Sequence, residues 1–191
     1  PDYFLFLNND TVVEKDFLHH LLIHLPDPIC FAGPVLEHQV NGKTYFDYGG
    51  FINWQKGQPK HYNKSKHKTS PEHIKRDFVS GCCLLASAQI IQKIGSFRED
   101  YFLYLEDVEL CIRAQKHHYK TYLIPSAKIF HKGSQSSSEF KKIFYSFKNS
   151  LKFSWQYCPS PYKLSAILFN LYFYPTLLIT WQLKHLLAKL K

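Results

Sequence analysis

An α/β architecture is what this chain predicts, and three observations predict it. An apolar run, Tyr3-Phe4-Leu5-Phe6-Leu7, stops abruptly at Asn8-Asn9-Asp10. An unbroken apolar run reads as a central strand buried on both faces, here carrying an acid to the carboxyl edge where open α/β sheets bind ligands. A second acidic pair, Glu106-Asp107, opens a helical pattern about a hundred residues later, and His131 closes another strand.

The elements between these points follow from spacing and punctuation. Phe17, Leu18, Leu21, Leu22 and Leu25 recur at helical intervals, predicting an amphipathic helix over 14–25 that ends before Pro26. Ile29–Ala32 reads as a short strand closed by Gly33-Pro34. Residues 35–54 read as a hairpin around Asn41-Gly42, a Gly49-Gly50 turn and a further strand to Trp54. The polar, lysine-rich stretch 55–75 is read as a long loop, either solvated or an acceptor-guiding lid. Phe78-Val79 leads through Gly81 into the apolar run Cys82–Ala86; Ser87 caps a helix over 88–94 and Gly95 stops it.

Residues 97–105 are aromatic and irregular. Glu106–His117 is a helix with an i,i+4 pair, Glu109 and Arg113, expected on its surface or behind the reacting groups. Thr121–Ile124 and Lys128–Phe130 read as two short strands broken at Pro125. Ser136 and Glu139 read as a capping box for a helix to about Tyr157. From Leu164 to Leu183 there are twenty residues without a charge, the length of a spanning helix. Asn170, Pro175 and Gln182 interrupt that run, and lysines flank both of its ends. An interfacial helix pair, with Tyr172, Tyr174 and Trp181 at the boundary, fits better than a span; a core helix is the plainer alternative.

Composition narrows the classes of partner. The 191 residues are 45% apolar, enough for a substantial core. They contain no methionine and open in mid-strand at Pro1, so the chain reads as a piece of a longer protein with sequence expected upstream. Lys and Arg outnumber Asp and Glu by 24 to 15, and the net charge of +9 favours an anionic partner such as a nucleoside diphosphate or anionic lipid. Nucleic acid is not expected, because the basic residues are spread and no zinc-finger or RNP spacing is present. The five cysteines lack CxxC spacing and read as reduced, buried thiols of a cytosolic setting.

The chemistry-bearing residues each have a plain reading beside the functional one. Asn8-Asn9-Asp10 is an ordinary turn former, or a place where a carboxylate and an amide oxygen face Mg²⁺ or Mn²⁺ shared with substrate phosphates. Glu106-Asp107 is a helix-capping pair favoured by the helix dipole, or it supplies a general base that takes a hydroxyl proton. Phe102-Leu103-Tyr104-Leu105 would wall such a site and offer ring faces to a sugar. His131 is one of eleven histidines and stands out only by its strand-end position, from which it could meet Asp10 across a metal.

Taken together, Leu7-Asn8-Asn9-Asp10, Phe78–Leu85, Ile94-Gly95-Ser96-Phe97, the block Tyr101–Arg113 and Ile129-Phe130-His131 resemble the family 2 glycosyltransferases. The rhamnosyltransferase-like bacterial branch that builds surface polysaccharides is the most similar. The resemblance covers nearly the whole chain, including Lys148-Asn149 and the apolar tail. It implies a GT-A fold, a nucleotide-sugar donor, a divalent cation (Mg²⁺ or Mn²⁺) and inversion at the anomeric carbon. It implies residues 1–135 as the C-terminal portion of a GT-A catalytic domain, with the nucleotide-binding half upstream. Residues 136–191 then form a helical, membrane-associating appendage.

Carried over by residue, the resemblance makes Asp107 the catalytic base and Asp10 and His131 the metal ligands. Asn8 and Asn9 fall behind the metal and donor diphosphate, and Glu106, Gly81, Cys82 and Tyr104 on the acceptor side. An amide at position 8 leans the metal site on Asp10 and the diphosphate. The absence of a Gln-x-x-Arg-Trp block points to addition of one sugar at a time. The implied acceptor is a glycan or lipid-linked glycan, and the implied location is cytoplasmic, peripheral at the inner face of the plasma membrane. The competing expectations are a non-catalytic carbohydrate- or membrane-binding module of the same fold, which would need no metal, and a metal-dependent nucleotide-sugar hydrolase.

Overall fold

The computed structural model describes residues 1–40, 42–70, 72–132 and 138–189. Eight strands form one mixed sheet: β1 (Tyr3–Leu7), β2 (Thr11–Val13), β3 (Cys30–Val40), β4 (Lys43–Asn53), β5 (Gln58–Lys64), β6 (Ile74–Arg76), β7 (Cys83–Ser87) and β8 (Lys120–His131). The helices are α1 (Phe17–Ile23), α2 (Ala88–Ile94), α3 (Glu106–Lys116), α4 (Glu139–Tyr157) and α5 (Ser160–Lys189), with a single 3₁₀ turn at Glu99–Tyr101. The chain divides into two compact units. One comprises Pro1–Phe51, Pro59–Arg98 and Glu106–Ser134; the other comprises Ile52–Gln58, Glu99–Leu105 and Gln135–Lys191.

The first unit is built on the sheet. Its strand order runs β1-β7-β3-β4-β5, and β8 lies parallel to β3 while pairing with β2 and β6. Alternation along the strands sorts the core. Cys30 and Ala32, Cys83 and Leu85, and Tyr122 and Ile124 pack with Phe17 and Leu21 of α1. The intervening Phe31, Leu84 and Leu123 are fully buried and belong to the other face.

On α3, Glu109 is wholly buried, so of its two expected places, the helix surface or behind the reacting groups, the surface is ruled out. Arg113 donates to both its oxygens at 3.0 Å, and its remaining N–H groups reach the carbonyls of Ile94 and Ser96. This fork ties α3 to the end of α2, where Gly95 takes φ 80°. The Ile94–Phe97 block is thereby given an architectural role.

Several expected elements differ. β1 is an edge strand that pairs only with β7 among the described strands, and Phe4, Leu5 and Leu7 are exposed. An apolar run does not reveal how many neighbours a strand has. β3 continues through Gly33-Pro34, and β4 through Gly49-Gly50; φ is 69° at Gly49, so the chain bends without leaving the sheet. Val40 pairs with Lys43 as the expected hairpin requires, while Asn41 itself lies outside the described residues.

The stretch 55–75 is not one long loop, since it holds β5 and most of β6. β5 is exposed from Lys60 to Lys64 and β6 carries Lys75 between Ile74 and Arg76, so polarity hid two strands. The two strands expected around Pro125 are one, β8, whose register against β3 shifts where Ile124 faces Pro34 and Lys128 faces Val35. α1 begins at Phe17 and is shorter than expected.

The second unit is mainly α4 and α5. The cap of α4 is Ser138, whose hydroxyl accepts from the Lys141 N–H; the expected cap, Ser136, lies outside the described residues. α5 is one continuous helix in place of an expected pair, with Pro175 inside it. By length and composition Ser160–Leu187 could cross a membrane, and only 17% of its apolar window is buried. Asn170, wholly buried on α5, donates to the carbonyls of Lys56 and Ala166 at 2.8 and 2.7 Å and accepts from Gln58 at 3.1 Å. The polar residue that interrupts the apolar run is therefore an anchor for the 54–58 turn.

Candidate active site

Apart from Tyr104 and the residues around it, all of the geometry below lies within the sheet unit. β1 ends at Leu7, and the Asn8 N–H continues its ladder by donating to the Cys82 carbonyl at 3.0 Å. The turn closes when the Thr11 hydroxyl donates to the Asn8 carbonyl at 2.6 Å. β2 then pairs with the end of β8, Thr11 opposite His131, and the Lys132 N–H donates to the Asp10 carbonyl at 3.0 Å. That pairing brings the two side chains together: Asp10 Oδ2 lies 3.2 Å from His131 Nε2.

Cys82 Sγ is 3.6 Å from the same nitrogen and accepts from Asn8 Nδ2 at 3.6 Å. Burial pushes the Cys82 thiol up, so it stays neutral. Asn9 is exposed in the turn.

One residue before Cys82, the chain meets the acidic pair. The Gly81 N–H donates to Asp107 Oδ2 at 2.7 Å, and Asp107 Oδ1 accepts from the Val108 N–H at 2.7 Å. A side chain at Gly81 would place its Cβ 2.9 Å from the Cβ of Asp107, so only glycine permits this approach. The two expected clusters are thus joined through a single peptide step, Gly81-Cys82.

The pair is electrostatically strained. Burial and the adjacent Asp107 carboxylate push Glu106 up to about 7, and its buried Oε2 has no hydrogen-bond partner. Burial also raises Asp107, against which the Gly81 and Val108 N–H groups and His61 favour the charged form. With donors on both oxygens, Asp107 is the easier of the two to ionise. Glu106 keeps the proton.

Tyr104, in the other unit, is half-buried and takes φ 67°, followed by Leu105 at 69°. Asn149 Nδ2 donates to the carbonyls of Leu103 and Tyr104 at 2.8 Å each. Two consecutive non-glycine residues in the left-handed region cost roughly 1–2 kcal/mol each, and the Asn149 amide offsets part of that cost.

A pair with no counterpart in the sequence reading is Asp47 and His61, 2.7 Å apart on β4 and β5. The two residues are fourteen apart, and polar composition concealed the strand that carries His61, so neither motif nor spacing marks the pair.

A divalent cation is compatible with the Asp10–His131 contact. Two neighbouring ligands at about 2.1 Å in an octahedral shell stand about 3 Å apart, close to the observed 3.2 Å. No cluster of three or more His, Cys, Asp or Glu side chains that could hold a metal occurs among the described residues. Two protein donors suit a cation whose other positions go to substrate phosphates and water.

The family model for glycosyl transferase family group 2 matches residues 3–186. The chain belongs to that family. Two curated relatives match as well, both named N-acetylglucosaminyl-diphospho-decaprenol L-rhamnosyltransferase, from Mycobacterium tuberculosis strains CDC 1551 / Oshkosh and ATCC 25618 / H37Rv. Each is 32% identical over 72 residues. The matched stretch is 38% of this chain and about a quarter (24%) of either relative. A solved structure of GalNAc-T7 with UDP, GalNAc and Mn2+ aligns with TM-score 0.54 at 16% identity, over 88% of this chain and 38% of that one. That likeness is one of fold. This family member has the mixed α/β fold of the GT-A glycosyltransferases.

Proposed function

We propose that this chain carries the metal and acid–base part of an inverting glycosyltransferase. It would add a single sugar, of hexosyl or rhamnosyl type, from a nucleotide-sugar donor to a glycan or lipid-linked acceptor in bacterial surface polysaccharide synthesis. One observation carries the reading. Gly81-Cys82 joins an Asp10–His131 pair to an Asp107 carboxylate that the Gly81 N–H holds at 2.7 Å. The relatives' printed names support a rhamnosyl donor and a diphospholipid acceptor, and the UDP and Mn2+ of the structural neighbour support a nucleotide donor and a divalent metal.

In this reading Asp10 and His131 hold Mg²⁺ or Mn²⁺, with Asn8 and Asn9 behind them toward the donor diphosphate. Bound there, the cation neutralises charge on the departing diphosphate. Asp107 accepts the acceptor hydroxyl's proton as that oxygen attacks the anomeric carbon from the face opposite the leaving group. Glu106, protonated near neutrality, can donate a hydrogen bond to the acceptor, with Gly81 and Cys82 beside it; the resemblance adds Tyr104 to the acceptor-binding residues. Residues 1–135 supply this chemistry. Residues 136–191, with the exposed apolar surface of α5, rest on the cytoplasmic face of the plasma membrane.

The test is transfer by the full-length enzyme. Asp107→Asn should lower the transfer rate about 10²–10⁴-fold, the usual worth of a positioned base, while leaving donor affinity intact. Near wild-type transfer would remove Asp107 from the role. Metal-independent sugar binding without turnover would favour the non-catalytic module.

A further inference from the structure

The sheet unit holds a second ion pair that the transfer mechanism does not use. Asp47, on β4, is 7% exposed and fixed at both oxygens: Oδ1 accepts from the Gly49 N–H at 2.8 Å, and Oδ2 lies 2.7 Å from His61 Nδ1. With Nδ1 committed to Asp47, His61 Nε2 has no partner among the described residues, and the side chain is 40% exposed. The ring stands edge-on to Phe78, centroids 4.9 Å apart at 81°.

Phe78 is itself locked to β4. Its carbonyl accepts from the Gly50 N–H at 3.0 Å, and any side chain at Gly50 would collide with its ring. Three residues further along, the Gly81 N–H grips Asp107. One short segment therefore supports the His61 ring at one end and the Asp107 carboxylate at the other. The charges of His61 and Asp107 favour each other; burial lowers His61, and Asp47 and Asp107 together raise it.

We propose that His61, anchored by Asp47 and seated on Phe78 of the segment whose Gly81 grips Asp107, is a positioning residue for sugar transfer: its positive charge favours the carboxylate form that takes the acceptor's proton. The need for it is physical. A base must be charged to accept a proton, yet Asp107 is desolvated and has the Glu106 carboxyl beside it. The other groups facing this cluster cannot serve. Cys82 and Cys111 are thiols that burial keeps neutral, and Arg76 faces Asp47 while its Nε donates to the Tyr48 carbonyl at 2.7 Å. His61 is the remaining cation.

This inference rests on Asp107 being the base, so its test has two readouts. The first is an NMR titration of the His61 imidazole in this chain, assigned by its loss in His61→Gln. Because coupling between two sites is reciprocal, Asp107→Asn should move the His61 midpoint down, and Asp47→Asn should move it further down. A midpoint unmoved by Asp107→Asn overturns the proposal, whatever the enzyme transfers.

The second is the pH profile of kcat/KM in the full-length enzyme. His61→Gln should move the acidic limb to higher pH, with a loss of about tenfold at pH 6 that narrows by pH 8, and His61→Lys should restore the limb. A loss of equal size at every pH marks a merely structural role and overturns the proposal. Transfer that survives Asp107→Asn would sink the base assignment instead, leaving the measured His61–Asp107 coupling standing.

Discussion

Asn170, wholly buried, and Glu106, half-buried with one buried oxygen, lie one in each compact unit, and they are treated in opposite ways. Asn170 has its carbonyl oxygen and its amide nitrogen engaged, by Gln58 on one side and by Lys56 and Ala166 on the other. Glu106 has a buried oxygen with no partner among the described residues, and burial together with the neighbouring Asp107 carboxylate raises it to about 7. A satisfied buried amide adds stability and fixes a turn; an unsatisfied buried carboxyl costs stability. The helical unit uses its polar residues to build. The sheet unit leaves Glu106 an oxygen that a ligand could complete. Asn149 stands between the two cases: Nδ2 holds the left-handed Tyr104 turn while Oδ1 is left without a partner.

The contrast breaks most visibly at Gly81. An added methyl at Gly81 meets the Cβ of Asp107 at 2.9 Å, and neither atom can yield without moving the carboxylate or the start of α3. Gly81→Ala in the full-length enzyme should lower transfer by about 10²-fold, the scale of a 1 Å misplacement of a reacting group, with the circular dichroism spectrum unchanged. Full activity would mean that the Gly81–Asp107 contact is architectural, like the contacts of Asn170.

The next effect lies in the helical unit. Asn170→Leu leaves the Lys56 carbonyl and the Gln58 amide without their partner and should cost about 1–3 kcal/mol. For a chain of this size each kcal/mol lowers Tm by about 2–4 °C. Thermal denaturation measures it directly, and an unchanged Tm would show that water replaces the amide there.

The residue types that carry the site were legible because each closes an element that short-range patterns can identify. Leu7 ends an apolar run, Ser87 and Gly95 bracket α2, and Glu106 opens α3. What brings them together is pairing, which leaves no local mark. Thr11-Val12-Val13 has the β-branched character of a strand, but three residues do not say which strand they join, and β2 is what sets Asp10 beside His131. The lysines of 55–75 read as solvent-loving loop residues, but an exposed strand at the end of a sheet also displays lysines, and so β5, β6 and the Asp47–His61 pair leave no mark. The edge position of β1 was hidden for the converse reason, since apolar residues alone do not say which faces are covered.

The smallest effect is also the most direct measure of the contrast. In the folded chain Glu106 holds its proton up to about pH 7, against 4.5 for an unperturbed glutamate. As pH rises from about 4.5 to about 7, the unfolded chain releases that proton first, and the folded state loses stability relative to it. Glutamine cannot ionise, so Glu106→Gln should match the wild type below that window and exceed it above. A shift of this size corresponds to roughly 3 kcal/mol at most. Glu106 is half-buried, so water screens part of it, and about 1–2 kcal/mol at pH 8 is expected. Denaturant midpoints at pH 4 and pH 8 decide it. Parallel behaviour at both pH values would mean that folding does not oppose the Glu106 charge, and the unpartnered Oε2 would then be no sign of a ligand site.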